Sequence, residues 1–95
     1  MSRKTVSFDR KGIEQLPNDK PVVYKIQTEG GKTNYAGIAK RGRVQDRVEE
    51  HLPGSKDAIP GAKVVIEQTS SVAEAQAKEQ RIIARSQPKY NDQGK

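Results

Sequence analysis

The stretch PVVYKIQTEGGKTNYAGIA, Pro21 to Ala39, decides how the chain is read. Val22 to Ile26 and Thr33 to Ile38 are two β-rich runs, and Gly30-Gly31 between them is a favoured two-residue hairpin turn. If Glu29 and Lys32 flank that turn as an opposed pair, Ile26 faces Tyr35 and Tyr24 faces Gly37. Opposed residues share a sheet face, so both phenols point the same way. Gly37 adds no side chain beside them and is expected to leave room for something to approach the backbone. Taken alone, either tyrosine reads as a packing residue at a core edge. Their alignment beside a glycine, in a chain with three Tyr and one Phe, is what draws attention to them.

Outward from the hairpin, 95 residues with 32% hydrophobic and 32% charged side chains make one small domain over 1–95 with a modest core. There are no cysteines, which removes disulfide bracing and zinc-thiolate chemistry. No stretch reaches membrane-spanning length and the start lacks a secretory apolar run, so a cytoplasmic setting is the default expectation, with a secreted effector as the other reading. Eighteen Lys plus Arg against twelve Asp plus Glu give a net charge of +6, which favours a polyanionic partner such as nucleic acid.

Residues 1–19 read as a basic arm, in which Thr5 to Phe8 can form a short edge strand, and a short helix from Lys11 to Leu16 capped by Asp9. Residues 20–92 form the core. Lys40-Arg41-Gly42-Arg43 is a basic turn, after which Val44, Val48 and Leu52 recur at helical spacing. The helix from Arg43 to Leu52 stacks Arg47 and His51 on one flank beside the apolar stripe. Ala62 to Gln68 reads as a third strand with Ala62, Val64 and Ile66 on one side. Ser71-Val72-Ala73-Glu74 has the form of a capping box and opens a helix from Val72 to about Arg85. Its inward face carries Val72, Ala75, Ile82 and Ile83, with Glu79 in the middle of the stripe. A carboxylate there costs several kcal/mol, on the order of a buried ion's desolvation, unless a cation meets it. An arginine or a divalent metal ion would serve. The tail from Gln87 to Asp92 has a Pro-led turn that can return Asn91 across the sheet.

Tyr24, Tyr35-Ala36-Gly37, Arg47, His51, Glu79 and Pro88-Lys89-Tyr90-Asn91 together resemble the GIY-YIG nuclease superfamily, and the ending is similar to its excision-repair members, here as a stand-alone domain. The resemblance implies an α+β fold with a small three-stranded antiparallel sheet in a β-β-α-β-α core. It implies an endonuclease acting on DNA, with RNA left open, in repair or recombination, and with a protein partner or a homodimer supplying specificity. Its site would comprise Tyr24, Tyr35, Arg47, His51, Glu79 and Asn91. Glu79 would ligate one Mg²⁺ or Mn²⁺, Tyr24 would act as general base with His51 relaying its proton, and Tyr35 would contact phosphate or water. Reversing the two tyrosines is the other assignment. Because the segment before Arg47 is longer than in repair-type members, Arg41 or Arg43 is a second choice for the catalytic arginine. Lys40, Arg41, Arg43 and Gly37 are the expected nucleic-acid contacts. The alternative function is a non-catalytic nucleic-acid-binding or protein-interaction module on the same fold.

Overall fold

The computed structural model describes residues 3–55, 57–88 and 90. Its elements run β1 (Arg3–Ser7), α1 (Arg10–Glu14), β2 (Val22–Gln27), β3 (Thr33–Ala39), α2 (Val44–Glu49), β4 (Lys63–Gln68) and α3 (Val72–Ser86). The fold is α+β, and its antiparallel sheet has four strands in the order β1-β4-β2-β3, not three. The extra strand is the N-terminal arm. Val6, which is buried, pairs with Val64 and extends the apolar face by one column.

Alternation along β2 sends Val22, Tyr24 and Ile26 to one face, where they join Val64 and Ile66 of β4. Ile13 and Leu16 from the α1 segment and Val44, Val48 and Leu52 from the α2 segment close that core. The opposite face receives α3, which packs over β2 and β3 with Ala75 at its buried centre. Val72, Ile82 and Ile83 are only half-buried, so α3 is seated more shallowly than its apolar stripe led us to expect.

A side-chain cap fixes the start of each of the three helices. Asp9 accepts from the Gly12 N–H at 2.8 Å and starts α1 one residue earlier than expected. At the start of α2, Arg43 supplies no side-chain cap, and Asn18 does so from across the fold, its Oδ1 accepting from Val44 N at 2.8 Å and Gln45 N at 3.2 Å. At α3, Ser71 accepts from Glu74 N at 3.1 Å, and the Glu74 carboxylate reaches back to Ser70 N at 2.8 Å.

The hairpin has the expected register, Tyr24 against Gly37 and Ile26 against Tyr35, but reaches it by a different route. The turn has three residues, Glu29 to Gly31. Thr28 N–H donates to Lys32 O at 2.9 Å, and Gly31 takes a φ of 97°, which glycine alone adopts without strain. On its own this would slip the pairing by one. Asn34 takes up the slip as an extra residue between Tyr35, opposite Ile26, and Thr33, opposite Gln27. The Asn34 side chain is buried and donates to Pro60 O at 2.8 Å.

Candidate active site

Both tyrosines lie on one face, with ring centroids 6.1 Å apart. The register sets the face, and Gly37 gives the rings room to approach. A Cβ at that position would sit 2.7 Å from the Tyr24 hydroxyl oxygen and 3.0 Å from a Tyr35 ring carbon. Gly37 is buried, and the room it leaves is filled by the two phenols. The space expected there for an approaching ligand is thus taken by the protein's own rings. Gly37→Ala is expected to cost about 1–3 kcal/mol through overpacking and to displace both rings. Urea unfolding and the near-ultraviolet tyrosine signal would register it.

Tyr24 is 1% exposed and its hydroxyl lies 2.9 Å from His51 Nε2. The other ring nitrogen, Nδ1, lies 2.9 Å from the carbonyl oxygen of Asp57. A carbonyl only accepts, so Nδ1 carries the proton, and in the neutral ring Nε2 is left to accept the proton of Tyr24. The loop bearing Asp57 is held in place from both sides. Ile59 N donates to His51 O at 2.9 Å, and Pro60 O is held by Asn34. His51 is thus buried with both nitrogens engaged, not solvated.

Tyr35 is half-buried and stacks obliquely on His51, with centroids 4.6 Å apart. It opens onto a cleft of about 400 Å³ whose walls also include Arg47, Glu50, His51 and Tyr90. Burial raises the Tyr24 phenol pKa far above its usual value, and the neighbouring Tyr35 adds to the rise while Arg47 works against it. Tyr35 is raised first by burial and then by the charge of Glu79, with Arg47 and a hydrogen bond to Tyr24 opposing. Arg47 therefore bears on both phenols. Its Nη1 lies 3.8 Å from the Glu50 carboxylate, a loose and half-exposed pair.

Glu79 is partly buried, and desolvation raises its carboxyl pKa above the ordinary range. Among the described residues no Lys, Arg or His lies within ion-pair distance of it. No three His, Cys, Asp or Glu side chains gather there either. A lone, partly dehydrated carboxylate without a protein cation suits a hard divalent ion that keeps most of its shell as water and substrate oxygens. The donor set fits Mg²⁺ or Mn²⁺ and does not fit zinc.

Lys40 and Arg43 line a second hollow of about 280 Å³ that shares Arg47 with the cleft. Arg43 is tied to Asp46 at 3.5 Å, and Arg41 is exposed beyond it. Of the three candidate arginines, Arg47 is the one at the tyrosines. Asn91 lies outside the described residues. Glu50, Asp57 and Tyr90 also line the cleft and were not among the site residues expected from sequence. Tyr90 was legible as part of the tail motif, whereas a backbone carbonyl leaves no trace in residue type.

No family model matches the sequence. The chain is 32% identical over 87 residues to the UvrABC system protein C of Carboxydothermus hydrogenoformans, covering 83% of this chain and 14% of that protein. It thus spans about one seventh of that relative's length. Among solved structures it is similar to the GIY-YIG N-terminal endonuclease domain of UvrC from Thermotoga maritima bound to magnesium. The TM-score is 0.64 at 27% identity, over 85% of this chain and 92% of that one. A variant of the same domain with an asparagine replaced by alanine, bound to its catalytic divalent cation, superposes with a TM-score of 0.65 at 27% identity. It covers 85% of this chain and 91% of that one.

Proposed function

The chain belongs to the GIY-YIG superfamily and is of the excision-repair type, and from that membership we propose that it is a divalent-metal-dependent endonuclease hydrolysing phosphodiester bonds in DNA. The observation that supports this most is a cleft walled by Tyr35, His51 and Arg47, with Tyr24 bonded to His51 behind it and the charge of Glu79 bearing on both phenols. Glu79 would hold a single Mg²⁺ or Mn²⁺. Such an ion, when bound, polarises the phosphate and stabilises the leaving oxygen.

Tyr35 is the phenol that reaches the cleft, so it is the better placed of the two to orient and deprotonate the attacking water, reversing the roles expected from sequence. Tyr24, closed off from solvent, passes the proton inward. As Tyr35 takes a proton from water it hands its own to Tyr24, whose proton moves to His51 Nε2 across 2.9 Å. Asp57 O keeps the opposite nitrogen protonated, so the ring can receive the proton only on the Tyr24 side. Arg47 grips a non-bridging oxygen of the scissile phosphate and offsets charge that grows in the transition state. Asn91 would steady Glu79.

Supercoiled plasmid incubated with Mg²⁺ should be nicked, and EDTA should prevent it. A purified chain that binds the plasmid but leaves it intact at every Mg²⁺ and Mn²⁺ concentration would instead be a non-catalytic binding module. Arg47→Ala is expected to lower kcat about 10²- to 10³-fold, as loss of one transition-state donor does. Arg41→Ala and Arg43→Ala should each cost less than tenfold, measured under substrate saturation.

A further inference from the structure

Helix α3 covers only half of its face of the sheet. It packs over β2 and β3 and leaves β4 and β1 largely uncovered beside it. The strip along the helix is a groove of about 290 Å³. Val23 pairs with Glu67 and Lys25 with Val65, and alternation puts these four on the face that Tyr24 turns away from. The groove floor is apolar, from Val23, Val65 and Ile82, and five cations rim it: Arg3, Lys25, Lys78, Arg81 and Arg85. One carboxylate, Glu67, faces all five, and it is already engaged by Lys78 at 3.1 Å and Arg3 at 3.5 Å. Lys25, Arg81 and Arg85 have no acidic side chain within ion-pair distance among the described residues. Burial, and then repulsion from Arg3, hold the Lys25 ammonium below its ordinary pKa, with Glu67 opposing.

An excess of cations over an apolar floor suits an occupant that carries both carboxylates and an aliphatic side chain. Nucleic acid suits it poorly. The molecule measures 30 × 29 × 25 Å, and a duplex lying on the tyrosine cleft is far too stiff to curl round to the opposite sheet face. A single strand is held by rings on which its bases stack, and Phe8, Tyr24, Tyr35 and Tyr90 all lie in or against the core on the other face. Guanidinium groups, in contrast, pair with carboxylates through two parallel hydrogen bonds. We propose that this groove docks an acidic segment of a partner protein, its carboxylates on Lys25, Arg81 and Arg85 and an aliphatic side chain on Val65 and Ile82. Because the tyrosine cleft opens on the other face, such a segment leaves it free.

The test is methyl and aromatic NMR of the whole chain, titrated with a synthetic peptide of glutamates interspersed with leucines. The signals of Val23, Val65 and Ile82 should shift and saturate while those of Tyr24 and Tyr35 stay in place. Serines in place of the leucines should weaken binding at least fivefold, because nothing then covers the floor. Arg81→Gln/Arg85→Gln should weaken it at least tenfold with the melting temperature unchanged, both side chains being exposed. Oligothymidylate and a DNA duplex of matching charge should move the three groove signals only at concentrations at least tenfold higher. Groove signals that stay still in the peptide, equal affinity in the double variant, or a nucleic acid that moves them at the peptide's own concentration overturns the docking site. Cleavage enters none of these measurements, so the endonuclease reading stands or falls separately.

Discussion

Glu79→Gln is expected to end metal-dependent cleavage, with kcat down by at least about 10³-fold, and at the same time to make the domain harder to unfold at neutral pH. The two effects have one origin. The carboxylate is partly withdrawn from water and no side chain among the described residues offers it a positive charge, so its ionised form is a cost that a bound cation would offset. The pH dependence fixes the sign. The folded-state pKa of Glu79 lies above its ordinary 4.5, so between the two values the native state holds more protons than the unfolded one, and stability falls as pH rises through that window. Above the raised value the loss is complete and constant. The difference in melting temperature, variant minus unaltered, should therefore be near zero at pH 4 and positive at pH 7–8. Mg²⁺ should raise the melting temperature of the unaltered chain and leave the glutamine variant unmoved, because only the former gains a ligand of its folded state. A variant that cuts at the normal rate, or that melts lower at pH 7.5 and gains nothing, would remove Glu79 from the metal site.

The two tyrosines should separate in a paired experiment. Tyr35→Phe removes the hydroxyl that meets water and is expected to lower kcat by about 10²- to 10⁴-fold, the range for loss of a general base, with little change in melting temperature. Tyr24→Phe should behave the other way round. It leaves His51 Nε2 buried without its donor, which costs about 1–3 kcal/mol of stability, and its catalytic loss should be at least tenfold smaller than that of Tyr35→Phe. The pH profile adds an independent reading. Burial and the charge of Glu79 hold the Tyr35 phenol above its usual value, so the rate of the unaltered chain should climb steadily through neutral into alkaline pH, and Tyr35→Phe should flatten that climb. A Tyr24→Phe chain that is inactive yet fully stable would restore Tyr24 as the base.

Much of this arrangement was readable from residue order because it depends on periodicity and caps. Alternation placed Tyr24 and Tyr35 on one face, the spacing of Val44, Val48 and Leu52 placed Arg47 on α2 and His51 beside it, although the helix ends at Glu49 and His51 sits in the turn that follows, and Ser71 with Glu74 marked the start of α3. The hairpin turn was misread because two local irregularities cancel. A three-residue loop and a bulge at Asn34 yield the same downstream pairing as a two-residue loop with none. The roles of the tyrosines were not separable in advance, since alternation fixes the face of a side chain and not its depth. Only the packing of α2 and the loop after it closes over Tyr24 and leaves Tyr35 open. The space at Gly37 was correctly anticipated and wrongly filled, with a ligand where the protein places its own phenols. Likewise, the Asp57 carbonyl that orients His51 and the remote Asn18 cap on α2 are long-range contacts of common groups, which no local pattern announces.

The bulge at Asn34 also makes the hairpin tip a permissive place to lengthen the chain. Past the bulge the strand is anchored independently, through Asn34 to Pro60 and through the ladder that joins Tyr24 to Gly37, so the tip does not transmit its own geometry inward. Gly30 and Gly31 are exposed and nothing stands within 4 Å of a side chain added at Gly31. Extra closure entropy grows only with the logarithm of loop length, so a graft of ten residues there costs about 1–2 kcal/mol or less. A recognition peptide spliced between those glycines would thus redirect the domain to a chosen target while its cutting centre stays intact.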